Sequence, residues 1–213
     1  MSPTAGKHTP LPRMLWGLAA VIAAIEVLLS LADAGYIGDG WLRPRAYCIG
    51  AFWPDYGPGS AFNRMCSITG APLYPGQQVV MFLSHAFLHG SLLHMVMNMT
   101  ILLALGRFVG DRYGARAILP VFLIGALAGG AAFGLLGTSN FPMVGASGAI
   151  AGVLGAYFVL YPHARVVTLV PLFLLFPLVE VPAFLFLLLS SLFFPFSLSL
   201  LSLLSSLSFS PLS

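Results

Sequence analysis

The chain has 213 residues, of which 59% are hydrophobic and 7% are charged, and its formal net charge is +3. A soluble domain has about 25% charged residues, whereas the mean hydropathy of this chain is +0.96. These values exclude a soluble globular domain and a disordered chain, and the small basic surplus gives no reason to expect a nucleic-acid partner. Apolar runs long enough to cross a bilayer of roughly 30 Å predict an all-α polytopic membrane protein whose surroundings are lipid.

The apolar runs divide the chain into a short tail at 1–13, a membrane domain at 14–183 and a tail at 184–213. Within the membrane domain a Gly- and Pro-rich segment at about 33–77 forms the predicted outer loop. The predicted spans are 14–32, 91–109, 117–137, 147–161 and a fifth that starts near Val166.

The distribution of Lys and Arg predicts that the N-terminus lies inside. We expect a multi-pass protein of the bacterial cytoplasmic (inner) membrane. The predicted inner segments hold Lys7, Arg13, Arg107, Arg112, Arg116 and Arg165, and the outer segments hold Arg43, Arg45 and Arg64. A cleaved signal peptide ending near Ala34 is the alternative for the first span. The apolar run is long for the hydrophobic core of a signal peptide and contains Glu26.

Three polar or thiol side chains of the first 70 residues carry predictions of their own. Glu26 lies at membrane depth and is expected to face the bundle or a water-filled groove. Cys48 and Cys66 share the predicted outer loop, where an oxidising compartment allows a disulfide between them.

The fourth span begins with Gly145-Ala146-Ser147-Gly148 and continues with small residues at every fourth position. Such spacing lets a second helix approach closely, which explains the pattern without any chemistry. The span is also short, at roughly 22 Å, so its outer end begins below the membrane surface. Irregular backbone at that depth requires protein or a cavity around it. A hydroxyl placed there, at a helix N-terminus that can hold an oxyanion, suits a buried nucleophile.

Histidines and an asparagine cluster before and within the second span, at the depth predicted for Ser147. His94 and Asn98 are four residues apart and share a helical face. A serine beside two such donors suits acyl transfer. Two alternatives stay open for the cluster, which also includes His85 and His89: a metal site, which has no nearby Asp, Glu or Cys, and hydrogen bonding between helices.

These two motifs resemble those of the rhomboid intramembrane serine proteases. The likeness rests on His89-x4-His94-x3-Asn98 and Gly145-Ala146-Ser147-Gly148, with Leu105-Gly106 and Val179-Glu180-Val181-Pro182-Ala183 in the expected places. It covers residues 78–183. The resemblance implies a six-helix core, here with an atypical sixth helix, and substrates that are membrane proteins with unstable transmembrane helices. It implies no metal and no organic cofactor.

The resemblance also assigns roles at the site. Ser147 is the expected nucleophile, and His94, Asn98 and the Ser147 backbone N–H are expected to form the oxyanion hole. His89, Gly145 and Gly148 are expected to support the site. The family's Trp-Arg pair of the first outer loop is absent, and Trp41-Leu42-Arg43 stands there instead.

The general base that the resemblance implies, a histidine on the sixth helix, is missing from this sequence. The last histidine is His163, roughly 24 Å from Ser147 if the helix is continuous. Residues 184–213 contain Leu, Ser, Phe and Pro alone, a composition that one low-complexity tract or a shifted reading frame would give. A serine without a base is a weak nucleophile.

Three functions therefore compete at this stage. The first is a rhomboid-type endopeptidase that is impaired in this chain. The second is a rhomboid-like protein that binds transmembrane helices without cutting them. The third is a channel or transporter built on Glu26, His94 and Asn98, which the absence of internal repeats disfavours.

Overall fold

A computed structural model describes residues 12–136, 141–161, 163, 165–169 and 178–182 of the chain. The helices are α1 (Arg13–Asp33), α2 (Leu42–Gly50), α3 (Ala61–Thr69), α4 (Gln77–Ser84), α5 (Leu92–Tyr113), α6 (Ile118–Leu136) and α7 (Ser147–Leu160). Single 3-10 turns at His85–Phe87 and Ala115–Ala117 precede α5 and α6. Two strands follow, β1 (Arg165–Leu169) and β2 (Leu178–Pro182).

The described helices confirm a helical membrane protein. Three of them, α1, α5 and α6, are long and apolar enough to cross a bilayer, and their bounds lie close to those predicted. Helix α7 begins at Ser147 as predicted and has 14 residues, so it is about 21 Å long and shorter than a full span.

The chain divides into two compact units, one up to Tyr157 and one from Phe158 onward. The first unit contains α1 to α6 and most of α7. In the second unit, Arg165–Leu169 pairs antiparallel with Leu178–Pro182. The prediction that a helical span starts near Val166 is therefore wrong over these residues. The run Val166-Val167-Thr168 is β-branched, and such residues favour an extended strand over a helix.

Short helices α2 and α3 form the folded part of the predicted outer loop. The Ser60 side chain caps the N-terminus of α3 by accepting the Asn63 backbone N–H at 3.1 Å. Cys48 of α2 and Cys66 of α3 are joined by a disulfide. Aromatic and apolar side chains around the disulfide form a buried cluster that also includes Leu29 of α1 and Met81 of α4, so the loop packs onto the neighbouring helices.

Glycines let α6 and α7 pack backbone against backbone. A Cβ atom placed on Gly125 would lie 2.8 Å from the Ala149 carbonyl oxygen, and one on Gly129 would lie 2.9 Å from the Gly148 Cα. A Cβ atom on Gly152 would lie 2.9 Å from the Gly125 Cα. The prediction that small residues of the fourth span let a second helix approach closely is confirmed at Gly148 and Gly152. This contact fixes the helix that begins with Ser147.

The tail at 184–213 lies outside the described residues, as does the segment at 137–140. The expectation for the sixth helix falls on that tail and stays a prediction from sequence.

Candidate active site

Ser147 is the first residue of α7, and an irregular segment held by three anchors leads to it. Met143 exchanges two backbone hydrogen bonds with Phe52, at 3.0 and 2.8 Å. The Gly145 N–H donates to the His85 carbonyl oxygen at 2.9 Å. The Ala146 N–H donates to His89 Nε2 at 3.4 Å. Protein groups thus satisfy this backbone, as irregular chain at membrane depth requires.

Gly145 brings the two predicted motifs together. A Cβ atom placed on it would lie 2.8 Å from His94 Cε1, 3.1 Å from His94 Nε2 and 3.8 Å from Asn98 Nδ2. Its φ of +117° also favours glycine over any residue with a side chain. Both predicted oxyanion donors therefore lie against the backbone two residues before Ser147, whose own side chain is partly exposed.

His94 and Asn98 are held by the first turns of α5. Ser91 caps this helix, and its Oγ accepts the His94 backbone N–H at 3.2 Å. Asn98 is buried, and its Nδ2 donates to the His94 carbonyl oxygen at 3.1 Å. The spacing of four residues thus places both side chains on the face of α5 that meets Gly145.

His89 is fully buried between the start of α5 and the start of α7. Its ring lies edge to face with that of His94, with centroids 5.2 Å apart. Because Nε2 accepts the Ala146 N–H, the neutral ring carries its proton on Nδ1. Burial, and then the neighbouring His94, lower the pKa of His89 from 6.5 to about 4. His89 is therefore neutral at physiological pH.

His85 supports the site through both its backbone and its ring. Its carbonyl oxygen accepts the Gly145 N–H, and its Nε2 lies 3.3 Å from the Ala126 carbonyl oxygen on α6. Burial lowers the pKa of His85. In the described part of the chain, no group of three His, Cys, Asp or Glu side chains is arranged to hold a metal ion.

Fully buried Glu26 and Arg43, whose side chain is 13% exposed, form an ion pair next to this site that was not predicted from the sequence. Arg43 Nη2 lies 3.0 Å from Glu26 Oε1, and Nη1 donates to the His89 carbonyl oxygen at 2.6 Å. Burial alone would lower the pKa of Arg43, but hydrogen bonds to Glu26 and Asp33 outweigh burial and raise it. The signal was present, since a carboxylate in an apolar helix needs a cationic partner.

Comparison with known proteins identifies the family. The Rhomboid domain model matches residues 76–208, which is more than half of the chain. The chain belongs to the rhomboid family. Rhomboid protein 1, mitochondrial, from Saccharomyces cerevisiae is 31% identical over 100 residues, which cover 43% of this chain and 28% of that protein. The chain therefore spans well under two thirds of this relative's length. No solved structure matches the chain.

Membership of the rhomboid family fits the placement of the described site. The matched region begins at Gly76. It contains the cluster of His89, His94 and Asn98 and the turn into α7. Glu26 and Arg43 both lie outside that region. Both residues of the ion pair thus belong to the part of the chain that comes before the matched region.

Proposed function

We propose that this protein carries the site of a rhomboid-type intramembrane serine endopeptidase that acts on transmembrane helices of membrane proteins. Ser147 is the nucleophile, and His94, Asn98 and the Ser147 backbone N–H stabilise the oxyanion. The observation that carries this proposal is the closeness of two side chains to Gly145, where an added Cβ atom would lie 3.1 Å from His94 Nε2 and 3.8 Å from Asn98 Nδ2. It brings two donors to the start of the helix on which the serine stands.

The proposed chemistry needs a group that this sequence does not provide. When Ser147 Oγ attacks a peptide carbonyl, its proton must pass to a base, and the new negative charge must meet hydrogen-bond donors. His89 is not free for this role, because its Nε2 accepts the Ala146 N–H. No histidine follows His163 in the sequence. We therefore expect little or no turnover from the chain with this sequence.

The missing base also favours a second function, in which the protein binds transmembrane helices without cutting them. Binding of this kind needs the described packing around Gly145 but no group that accepts the serine proton. A rhomboid-like protein with this site would hold a substrate helix and release it intact.

Capture of a substrate tests the part that both functions share. The full chain would be reconstituted in liposomes with a tagged single-span protein whose helix contains Gly and Pro, and copurification would be measured. Gly145→Val is expected to lower capture, because the added side chain enters the space of His94. Gly155→Ala is the matched control, since a Cβ atom there meets nothing within 4 Å. Equal capture by both variants would contradict a binding role for this site.

We further propose that the N-terminus lies on the inner side of the membrane. Six of the nine Lys and Arg residues then lie inside, which the positive-inside rule favours. The compartment stays a prediction, and the yeast relative is named as mitochondrial.

A further inference from the structure

Arg43 is surrounded by acceptors that match its hydrogen-bond donors one for one. Nη1 donates to Glu26 Oε2 at 3.0 Å and to the His89 carbonyl oxygen at 2.6 Å. Nη2 donates to Glu26 Oε1 at 3.0 Å and to Ser30 Oγ at 3.3 Å, and Nε donates to Asp33 Oδ2. A guanidinium has five N–H groups in a fixed planar fork, so every donor is used.

Glu26 fixes the orientation of this fork. Its side chain is fully buried on α1, and the Arg43 side chain on α2 is 13% exposed. Both carboxylate oxygens accept from Arg43, which makes the pair bidentate and restricts rotation of the guanidinium. With Glu26 holding one edge of the fork, one Nη1 hydrogen is directed at the His89 carbonyl oxygen.

The His89 carbonyl oxygen has a second donor, the Tyr47 hydroxyl at 2.9 Å. Two side chains of α2 therefore hold the main chain of a residue whose ring meets both halves of the proposed site. That ring accepts the Ala146 N–H and packs against the ring of His94. A path of direct contacts thus runs from Glu26 through Arg43 and His89 to the residue before Ser147.

From this path we propose that Arg43, oriented by Glu26, is a positioning residue for the candidate active site. It fixes the His89 main chain and so sets the His89 ring between His94 and the N-terminus of α7. This inference rests on the proposed function for its significance. Arg43 and Glu26 both lie before the matched family region.

The test measures how readily each histidine is acylated by diethyl pyrocarbonate. An unprotonated imidazole nitrogen attacks a carbonyl carbon of this reagent and gains an ethoxycarbonyl group, and ethyl carbonate leaves and breaks down to ethanol and carbon dioxide. The full chain would be modified in detergent micelles and then digested, and the modified peptides would be mapped by mass spectrometry. Exposed His163 serves as the reactive reference. Buried His85 reports whether the fold is kept. The measurement needs no turnover, so failure of the proposed protease chemistry leaves its outcome unchanged.

The main variant is the double substitution Glu26→Leu/Arg43→Met, which removes both charges and leaves no unpaired buried ion. Replacing a buried ion pair by apolar residues often leaves stability unchanged. We expect His89 to react at least about tenfold faster, the factor that corresponds to ~1.4 kcal/mol, while His85 stays protected. Arg45→Met is the matched control on the same helix, because Arg45 pairs at 2.8 Å with the exposed Asp39.

Unchanged protection of His89 in a double variant that keeps His85 protected would overturn the proposal. If the double variant also exposes His85, the variant Arg43→Lys distinguishes positioning of the site from stabilisation of the whole fold. Lysine keeps the charge beside Glu26 but lacks the planar fork. Faster acylation of His89 alone in Arg43→Lys supports a positioning role. Unchanged His89, or joint exposure of His89 and His85, would show that Arg43 stabilises the fold as a whole and does not position the site.

Discussion

At the scale of single residues, Gly145 is the position at which a small change should have a large effect. Its φ of +117° is unfavourable for other residues, and a Cβ atom would lie 2.8 Å from His94 Cε1. We expect Gly145→Ala to lower the free energy of unfolding by about 1–3 kcal/mol, the usual cost of such a backbone conformation. Thermal unfolding in micelles measures this. Gly155→Ala, with open space around it, should be neutral or stabilising.

The buried histidines predict how stability depends on pH. The pKa of His89 is about 4 in the folded state and about 6.5 when the chain is unfolded. Above pH 6.5 the His89 ring is neutral in both the folded and the unfolded state, and its titration does not reduce the stability. As the pH falls from 6.5 towards 4, the unfolded state takes up a proton that the folded state does not, so stability falls. His85, whose pKa is also lowered by burial, acts in the same direction.

Unfolding midpoints measured between pH 7.5 and 4.5 check this dependence. The wild type should lose stability over that range, and His89→Gln, which keeps a hydrogen-bond acceptor but does not titrate, should lose less. Equal pH dependence in the two proteins would show that His89 is not neutral and buried as described.

Single residues also show how far the sequence could be interpreted. Ser147, His94 and Asn98 were chosen as candidates from a helix start and a spacing of four residues, because both features are local, and their catalytic roles stay predictions. The partner of Glu26 was missed because Arg43 is 17 residues away and belongs to a short helix in a Gly- and Pro-rich segment. A buried carboxylate predicts that a cation is near, but it does not say which one.

At the scale of elements, the contact between α6 and α7 determines where the proposed nucleophile stands. A Cβ atom on Gly125 would meet the backbone of α7, which cannot move aside as a side chain can. We expect Gly125→Ala to lower the free energy of unfolding by about 1–3 kcal/mol through overpacking. Gly17→Ala on α1, where nothing lies within 4 Å, is the control in the same unfolding experiment. Equal midpoints for the two variants would contradict the close packing.

The disulfide is expected to stabilise the segment formed by α2 and α3. It links cysteines that are 18 residues apart, and closing a loop of this size contributes about 3 kcal/mol by restricting the unfolded chain. A reducing agent should lower the unfolding midpoint of the wild type and leave Cys48→Ser/Cys66→Ser unaffected. A midpoint that does not respond to reduction would show that Cys48 and Cys66 are not paired.

Element boundaries followed the sequence closely where apolar runs end at charged or Gly-rich turns. The failure near Val166 has a different origin. An apolar run of that length fits either a membrane helix or a pair of buried strands, and hydropathy alone does not separate them. The β-branched run Val166-Val167-Thr168 was the local signal for a strand.

At the scale of the whole molecule, the protein combines a candidate site of the rhomboid family with a sequence in which no histidine follows His163. The described helices bring His94, Asn98 and the turn before Ser147 together, and the family match extends over them. Under the proposed function, binding of a substrate helix and its cleavage are separable, because only cleavage needs a group that accepts the serine proton.

An assay for cleavage that depends on Ser147 tests most directly whether this chain binds a substrate helix without cutting it. The full chain and its Ser147→Ala variant would each be reconstituted with a tagged single-span substrate, and the products would be separated by size. We predict that the substrate stays intact with both proteins while both capture it. A product formed by the wild type and absent with Ser147→Ala would contradict the predicted lack of turnover, because such cleavage needs a base beside Ser147.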